Sequence, residues 1–346
     1  MLRNLLIALI CCCAAVQAQA QVNTNNLVTE GTPFLCQPGV TNKAPSKGAS
    51  FTYSLNPDYR MRAYDAENSS KVQRNERFDT NVKIPLVNSP KFKALLGLQY
   101  TLERYHFLRI DPANYPLFKR LNEADLKNTG IAAYLIRPIN HKYYASVRLS
   151  GNWQGDYDSF VSFDNRYAVY RVAGLLGVKK SDDLEYGFGL LFNKGFRNTS
   201  VIPFGFYNQT FNKHWGIEAA LPQNIKVRYN FDEKRLALFG AEFSSQNYAL
   251  AVREPVMNPF THQHEKAPYH FRRATLDLVA TFYHQITGWT WVQCKGGYAF
   301  NLNTEARDLP ENRTYDLQPS GSMVGMVSFF ISPPRHLLQN GRCTPQ

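Results

Sequence analysis

The sequence predicts an all-β protein: a single antiparallel transmembrane β-barrel of about fourteen strands, with about twelve as the nearest alternative. Three features carry that expectation. The chain starts with a secretory leader, its body repeats segments of period-two alternation, and no later apolar run approaches the roughly 18 to 20 residues of a membrane helix.

Residues 1–20 read as a cleavable signal peptide. Arg3 supplies the positive start, Leu5 to Val16 the apolar core with Cys11, Cys12 and Cys13, and Ala18-Gln19-Ala20 the small residues that a signal peptidase reads. That core is too short to span a bilayer, and Gln21 is the expected mature start. A mature chain without membrane helices meets a membrane only as a closed barrel or as a surface binder. The aromatic content of 14% and the wealth of Gly, Asn and Thr suit strands with one apolar and one polar face.

The alternation itself is explicit. Phe92, Ala94, Leu96, Leu98, Tyr100 and Leu102 share one face, against Lys93, Leu95, Gly97, Gln99, Thr101 and Glu103 on the other. Tyr143, Ala145, Val147 and Leu149 interleave with Lys142, Tyr144, Ser146, Arg148 and Ser150. Ile225, Val227, Tyr229 and Phe231 interleave with Lys226, Arg228 and Asn230, and Ala274, Leu276, Leu278, Ala280 and Phe282 with Thr275, Asp277, Val279, Thr281 and Tyr283. A soluble sandwich alternates too, but its strands are typically about five or six residues long, whereas a tilted membrane strand needs about nine to eleven.

Candidate strands fall at 50–57, 76–87, 92–105, 129–138, 141–152, 166–178, 184–196, 200–210, 213–221, 224–231, 235–243, 247–253, 270–284, 288–301 and 320–331. Short turns are expected at 88–91, 140, 180–183 and 287–288, and long polar connections at 58–75, 106–128, 153–165, 254–269 and 302–319. Tight periplasmic turns and long external loops are the asymmetry of an outer-membrane barrel. Counting strands inward from each end puts every long loop outside, but the two counts clash in the middle. One of the segments between Lys213 and Arg253 is therefore not an independent strand. Pro85, Pro138, Pro203 and Pro222 are expected at strand ends or bulges. No helical periodicity stands out. The domain plan is a signal at 1–20, an irregular periplasmic segment at 21–49, the barrel at 50–331 and a periplasmic tail at 332–346.

The formal charge of +12, or +11 once Arg3 leaves with the signal, is spread singly along the chain without the dense run of a nucleic-acid arm. With apolar faces toward lipid, Lys83, Lys93, Lys142, Arg148, Arg171, Lys226 and Arg228 point into the lumen, with Asp79, Glu103, Glu185 and Asp277 the acids of the same faces. Two readings follow: an inward excess of cations that favours anions, or charges that pair in a plugged barrel.

Cys36, Cys294 and Cys343 remain in the mature chain without metal-ligand spacing. Cys36 and Cys343 flank the barrel on the side where closure brings first and last strands together, and an oxidising envelope permits a disulfide between them. Cys294 is expected to be small and buried. The histidines of Thr261-His262-Gln263-His264-Glu265 lack a third ligand nearby and read as solvated loop residues. His106, His214 and His284 stand singly, and no catalytic constellation emerges. Sequons at Asn68, Asn198, Asn208 and Asn312 read as polar turns.

The stretch 322–330, with Gly325, Val327 and Phe329, resembles the final-strand signal read by barrel-assembly machinery, although a tail follows it. The stretch Gly187 to Phe206, followed by His214 to Pro222, resembles an outer-membrane barrel family of Gram-negative bacteria known as a domain of unknown function. That resemblance implies fold and location and assigns no catalytic, metal or cofactor residue. The expected partners are outer-membrane lipids and, during insertion, the assembly machinery, with no nucleic acid and the oligomeric state left open. The expected role is passage of small or amphipathic solutes. A closed structural or adhesive surface barrel is the alternative, and an envelope enzyme comes third.

Overall fold

The computed structural model describes residues 38–63, 69–111, 115–196, 199–250, 256–257, 264–265, 269–308 and 314–332. The wall strands are β1 (Ala49–Ala63), β2 (Ser70–Ser89), β3 (Phe92–Arg109), β4 (Leu126–Pro138), β5 (Tyr143–Gly155), β6 (Ala168–Lys179), β7 (Leu184–Lys194), β8 (Thr199–Thr210), β9 (Trp215–Leu221), β10 (Asn224–Asn230), β11 (Arg235–Leu250), β14 (Tyr269–Thr287), β15 (Thr290–Asp308), β16 (Thr314–Pro319) and β17 (Ser322–Ile331). β12 (Val256–Met257) and β13 (His264–Glu265) form a small separate pair.

Consecutive wall strands from β1 to β15 pair antiparallel, β16 and β17 each pair with β15 and with β1, and the β1–β17 register from Ala49↔Ile331 to Leu55↔Gly325 closes the sheet. Fifteen strands make the sheet, and β16 and β17 share one wall position, which leaves a barrel of fourteen. The clash in the strand count resolves at β11, which runs unbroken from Arg235 to Leu250 and so joins 235–243 to the described part of the next candidate. No described helix is long and apolar enough to cross a membrane.

Alternation assigns the faces. Leu98, Ile225, Val227, Leu278 and Phe282 are exposed on the outer face, while their neighbours Thr101, Glu103, Arg228, Asp277 and Thr281 are buried inside. On the outside near the short turns, Trp215, Tyr229, Phe231 and Phe282 make successive ring contacts of 4.8, 4.9 and 6.1 Å. Such an aromatic belt suits a headgroup interface. Cys294 is exposed rather than buried, paired in register with the outward Phe282 and Val327.

Three short turns share one device. Asn140 Oδ1 accepts from the amides of Lys142 and Tyr143, Asn212 Oδ1 from those of His214 and Trp215, and Asp232 Oδ1 from those of Lys234 and Arg235. A short side-chain oxygen mimics the backbone acceptor that a tight reversal leaves missing.

At the other end the strands continue through much of the expected loops, because pairing satisfies their backbone groups beyond the lipid band. The connection after β3 contains a helix that periodicity missed, α1 (Tyr115–Glu123). Pro116 fits its first turn, where an amide has no intrahelical acceptor. Leu117, Phe118 and Leu121 are buried, and Lys119 pairs with Glu123 at 3.0 Å. At nine residues the helix is too short for a periodic signal, and tertiary burial holds it.

The prolines divide. Pro138 ends β4, Pro85 adjoins a register shift and Pro222 lies between β9 and β10. Pro203, however, lies inside β8 opposite Leu190. Asn208, expected in a turn, is buried inside β8, where its amide donates to Glu185 Oε2 at 3.5 Å. Asn68, Asn198 and Asn312 lie outside the described residues, as do Cys36, Cys343 and the side chains of 261–265.

Candidate functional site

The barrel interior is layered. At the long-loop end α1 fills the mouth: Leu117, Phe118 and Leu121 pack with Tyr59, Met61, Tyr105, Leu126, Tyr248, Leu250, Phe271 and Leu317. Each fully buried side chain of that size contributes about 1.5–3 kcal/mol. Arg120 of α1 reaches Asp156 beyond β5 through Nε at 2.8 Å and Nη2 at 2.5 Å.

The mouth is also pinched. The end of β5 meets the end of β11 in a parallel pairing, Gly155↔Ala249, and the Asp156 amide donates to Ala249 O at 3.3 Å. Gly155 is required there, because a Cβ would collide with the Tyr167 ring and Ala249 O. β6 to β10 are left outside this junction, and β9 and β10 have only seven residues each.

Beneath the apolar layer lies a polar one. Glu103 is fully buried, accepting from Tyr248 Oη at 2.8 Å and Asn75 Nδ2 at 3.0 Å. Asp79 accepts from Arg77 Nε at 2.9 Å and from Thr101 Oγ1 at 2.7 Å, and Arg273 Nη1 donates to Tyr59 Oη at 3.3 Å. These charges are locked to partners, as buried charges must be.

At the short-turn end residues 39–48 cross the mouth as a strap. Gly48 is fixed beside β1, with its amide on Ile331 O at 2.8 Å and its carbonyl on the Lys83 amide at 2.7 Å. At the far side the Gly39 amide donates to Glu185 Oε1 at 3.0 Å, the Thr41 amide to Asp182 O at 2.9 Å, and Thr210 Oγ1 to Thr41 O at 2.6 Å. The Ala44 amide donates to Glu218 Oε1 at 2.9 Å, and the same oxygen takes Arg228 Nη1 at 2.7 Å.

The seven cations expected in the lumen separate into groups. Arg228 is wholly buried and paired with Glu218, and Lys226 is 2.5 Å from Glu242, which also holds Lys295 at 2.9 Å. Lys142 lies in the exposed turn before β5, its ammonium 5.5 Å from the Tyr143 ring centroid. Lys93 faces inward at the short-turn end of β3, opposite Ile136.

Lys83, Arg148 and Arg171 form the remaining group. Among the described residues none of the three has a carboxylate within ion-pair distance. Lys83 and Arg148 lie 5.7 and 5.1 Å from the Tyr134 ring centroid, and Arg171 donates to Asn193 Oδ1 at 3.1 Å and Asn152 Oδ1 at 3.3 Å. Lys83 and Arg148 are exposed although they face inward, so this part of the lumen is open to water. Asn81, Lys83, Gln99, Tyr134, Arg148, Ser150 and Asn152 line a recess on this wall. Its place on the arc from β2 to β6 was not legible in advance, because facing was read strand by strand and register was unknown. Among the described residues no group of three or more metal-ligating side chains forms.

No curated protein sequence matches the chain. Solved structures similar to it include a FadL homologue of Pseudomonas aeruginosa, at 10% identity over 82% of this chain and 89% of that one, with a TM-score of 0.38. The toluene transporter TodX of P. putida matches at 10% identity over 84% and 91%, TM-score 0.30, and the outer membrane protease OmpT of Escherichia coli at 9% over 83% and 97%, TM-score 0.25. The model of a family described as a domain of unknown function, DUF6268, matches residues 16–322, and this β-barrel chain belongs to that family.

Proposed function

We propose that this barrel, exported through a cleaved signal peptide and inserted by the barrel-assembly machinery, passes small hydrophilic or amphipathic solutes across the outer membrane, with a preference for anions and without catalysing a reaction. The observation that carries the reading is the hydrated inner wall where Lys83, Arg148 and Arg171 face the lumen without a carboxylate. An uncompensated cationic wall concentrates anions and repels cations inside a narrow passage. Both mouths are covered by the chain's own segments, α1 and the strap, so passage requires one of them to move at each end.

Planar bilayer recordings under a salt gradient test this on the wild type and on Glu218→Gln, which loosens the strap. Conductance whose reversal potential favours anions, larger in the variant, is expected. Silence in both forms, or a cation preference, would overturn the reading. The apolar seat of α1 favours one second reading, a closed surface barrel, and that silence would select it.

A further inference from the structure

The strand register of the inner wall builds more than a charged surface. One transverse row runs Lys83↔Gly97↔Ala132↔Ser150↔Arg171, in which each residue is the direct partner of the next across β2, β3, β4, β5 and β6. Directly paired residues share a face, so this row has a cation at each end and only small side chains between. The row toward the long-loop end runs Asn81↔Gln99↔Gly130↔Asn152, and the row on the other side carries Tyr134 opposite Arg148.

Two glycines make the depression. A Cβ on Gly97 would meet Tyr134 Cε2 at 2.9 Å, and one on Gly130 would collide with the Asn152 amide. Tyr134 and Asn152 therefore lie against the wall instead of standing into the lumen. The result is a floor of Gly97, Ala132 and Ser150, an amide rim, and cations on three sides.

Arg148 lies within electrostatic reach of both Lys83 and Arg171. Three like charges gathered on one wall repel one another unless an anion lies between them. The acid two positions beyond Asn81 on the same face, Asp79, is already held by Arg77 and Thr101.

From this we propose that the recess binds a small anion that also carries hydroxyl groups, namely a sugar bearing a carboxylate or a phosphate. The inference rests on the transport reading and names its substrate class. The anionic group sits between Arg148 and Arg171 on adjacent strands, where guanidinium forks give charge-assisted hydrogen bonds. The hydroxyls meet Ser150, Asn152, Gln99 and Asn81, which offer both donors and acceptors. Lys83 lies four strand spacings from Arg171, about 19 Å along the wall, and its ammonium reaches back toward the far end of the solute. A purely apolar solute finds no large apolar side chain on this floor.

The test is calorimetric titration of the full-length, detergent-solubilised barrel with glucuronate, glucose 6-phosphate, glucose and hexanoate. Saturable binding of glucuronate, glucose 6-phosphate or both is expected, with glucose and hexanoate at least about tenfold weaker. Which of the two binds identifies the anionic group. Arg148→Gln and Arg171→Gln each weaken binding by about tenfold or more, and Lys142→Gln, on the exposed turn, leaves it unchanged. Lys83→Gln, at the opposite end of the row, supplies an independent variant, and heat-modifiable gel migration confirms that each protein is folded. Hexanoate binding as tightly as glucuronate, no saturable binding, or affinity unaltered in all three cation variants would overturn the proposal. Anion-selective conductance without sugar-acid binding removes this site and leaves the transport reading standing. Binding without conductance does the reverse.

Discussion

Gly155 at the end of β5 pairs in parallel with Ala249 near the end of β11, although β6 to β10 lie between them around the wall. The contact draws one side of the barrel onto the other at the long-loop end, and the missing side chain at Gly155 makes room for the Tyr167 ring and Ala249 O. Gly155→Val forces these groups apart and costs about 1–3 kcal/mol by overpacking. The urea midpoint of the folded barrel should fall accordingly, with faster amide exchange at Asp156 than in the wild type. An unchanged midpoint would mean that the junction contributes nothing.

The polar layer predicts a second result. Tyr248 donates to Glu103, a carboxylate fully buried beneath the plug. Tyr248→Phe keeps the ring packing and removes one hydrogen bond to a charged acceptor, a loss of about 1.5–3 kcal/mol. Equilibrium unfolding in detergent measures it, and a loss well under that range would show that the amides of Asn75 and Gln246 satisfy the carboxylate without the phenol.

Glu218 serves two partners, the buried Arg228 and the Ala44 amide of the strap. Removing one member of a buried ion pair costs about 3–5 kcal/mol, because the other charge stays desolvated. Glu218→Gln should therefore release residues 39–48, seen as accelerated limited proteolysis there, while the outward-facing variant Val227→Leu leaves the rate unchanged.

Lys47 makes the strap sensitive to pH. Burial, then the ammoniums of Lys295 and Lys226, pull it down from 10.5 to about 8, against the smaller opposing pull of Asp79 and Glu242. Its ammonium also contacts Ser328 Oγ at 3.3 Å and the Phe330 ring at 5.1 Å from the centroid. Seating the strap disfavours the charged lysine, so seating releases a proton between pH 8 and 10.5 and strengthens as pH rises through that window. Below about pH 8 the dependence is flat. Strap proteolysis should slow from pH 8 to pH 10 in the wild type, and Lys47→Met should abolish that slope.

Much of the wall could be read from the chain. The inner placement of Glu103, Thr101, Asp277 and Arg228 follows from alternation, since a strand shows successive side chains to opposite faces. The strand total followed from parity, which placed one superfluous segment between Lys213 and Arg253, and the structure identified it by running β11 unbroken from Arg235 to Leu250. Pro203 inside β8 and Asn208 buried on the same strand escaped, because local propensity is read without the partner strands that accommodate it. Helix α1 escaped because its stability comes from Tyr59, Phe271, Leu250 and other residues distant in sequence.

The cations show the same division most plainly. Lys83, Arg148, Arg171, Lys226 and Arg228 carry the same alternation signal, yet nothing in the sequence separates the two held by Glu242 and Glu218 from the three without a carboxylate. By itself the sequence determined the barrel, its approximate strand number and which side of each strand carries the apolar outer face, because these depend on a two-residue period written locally. Only the tertiary structure decided the pinch at Gly155, the plug, the strap and the recess, because each depends on register and closure between segments far apart in the chain.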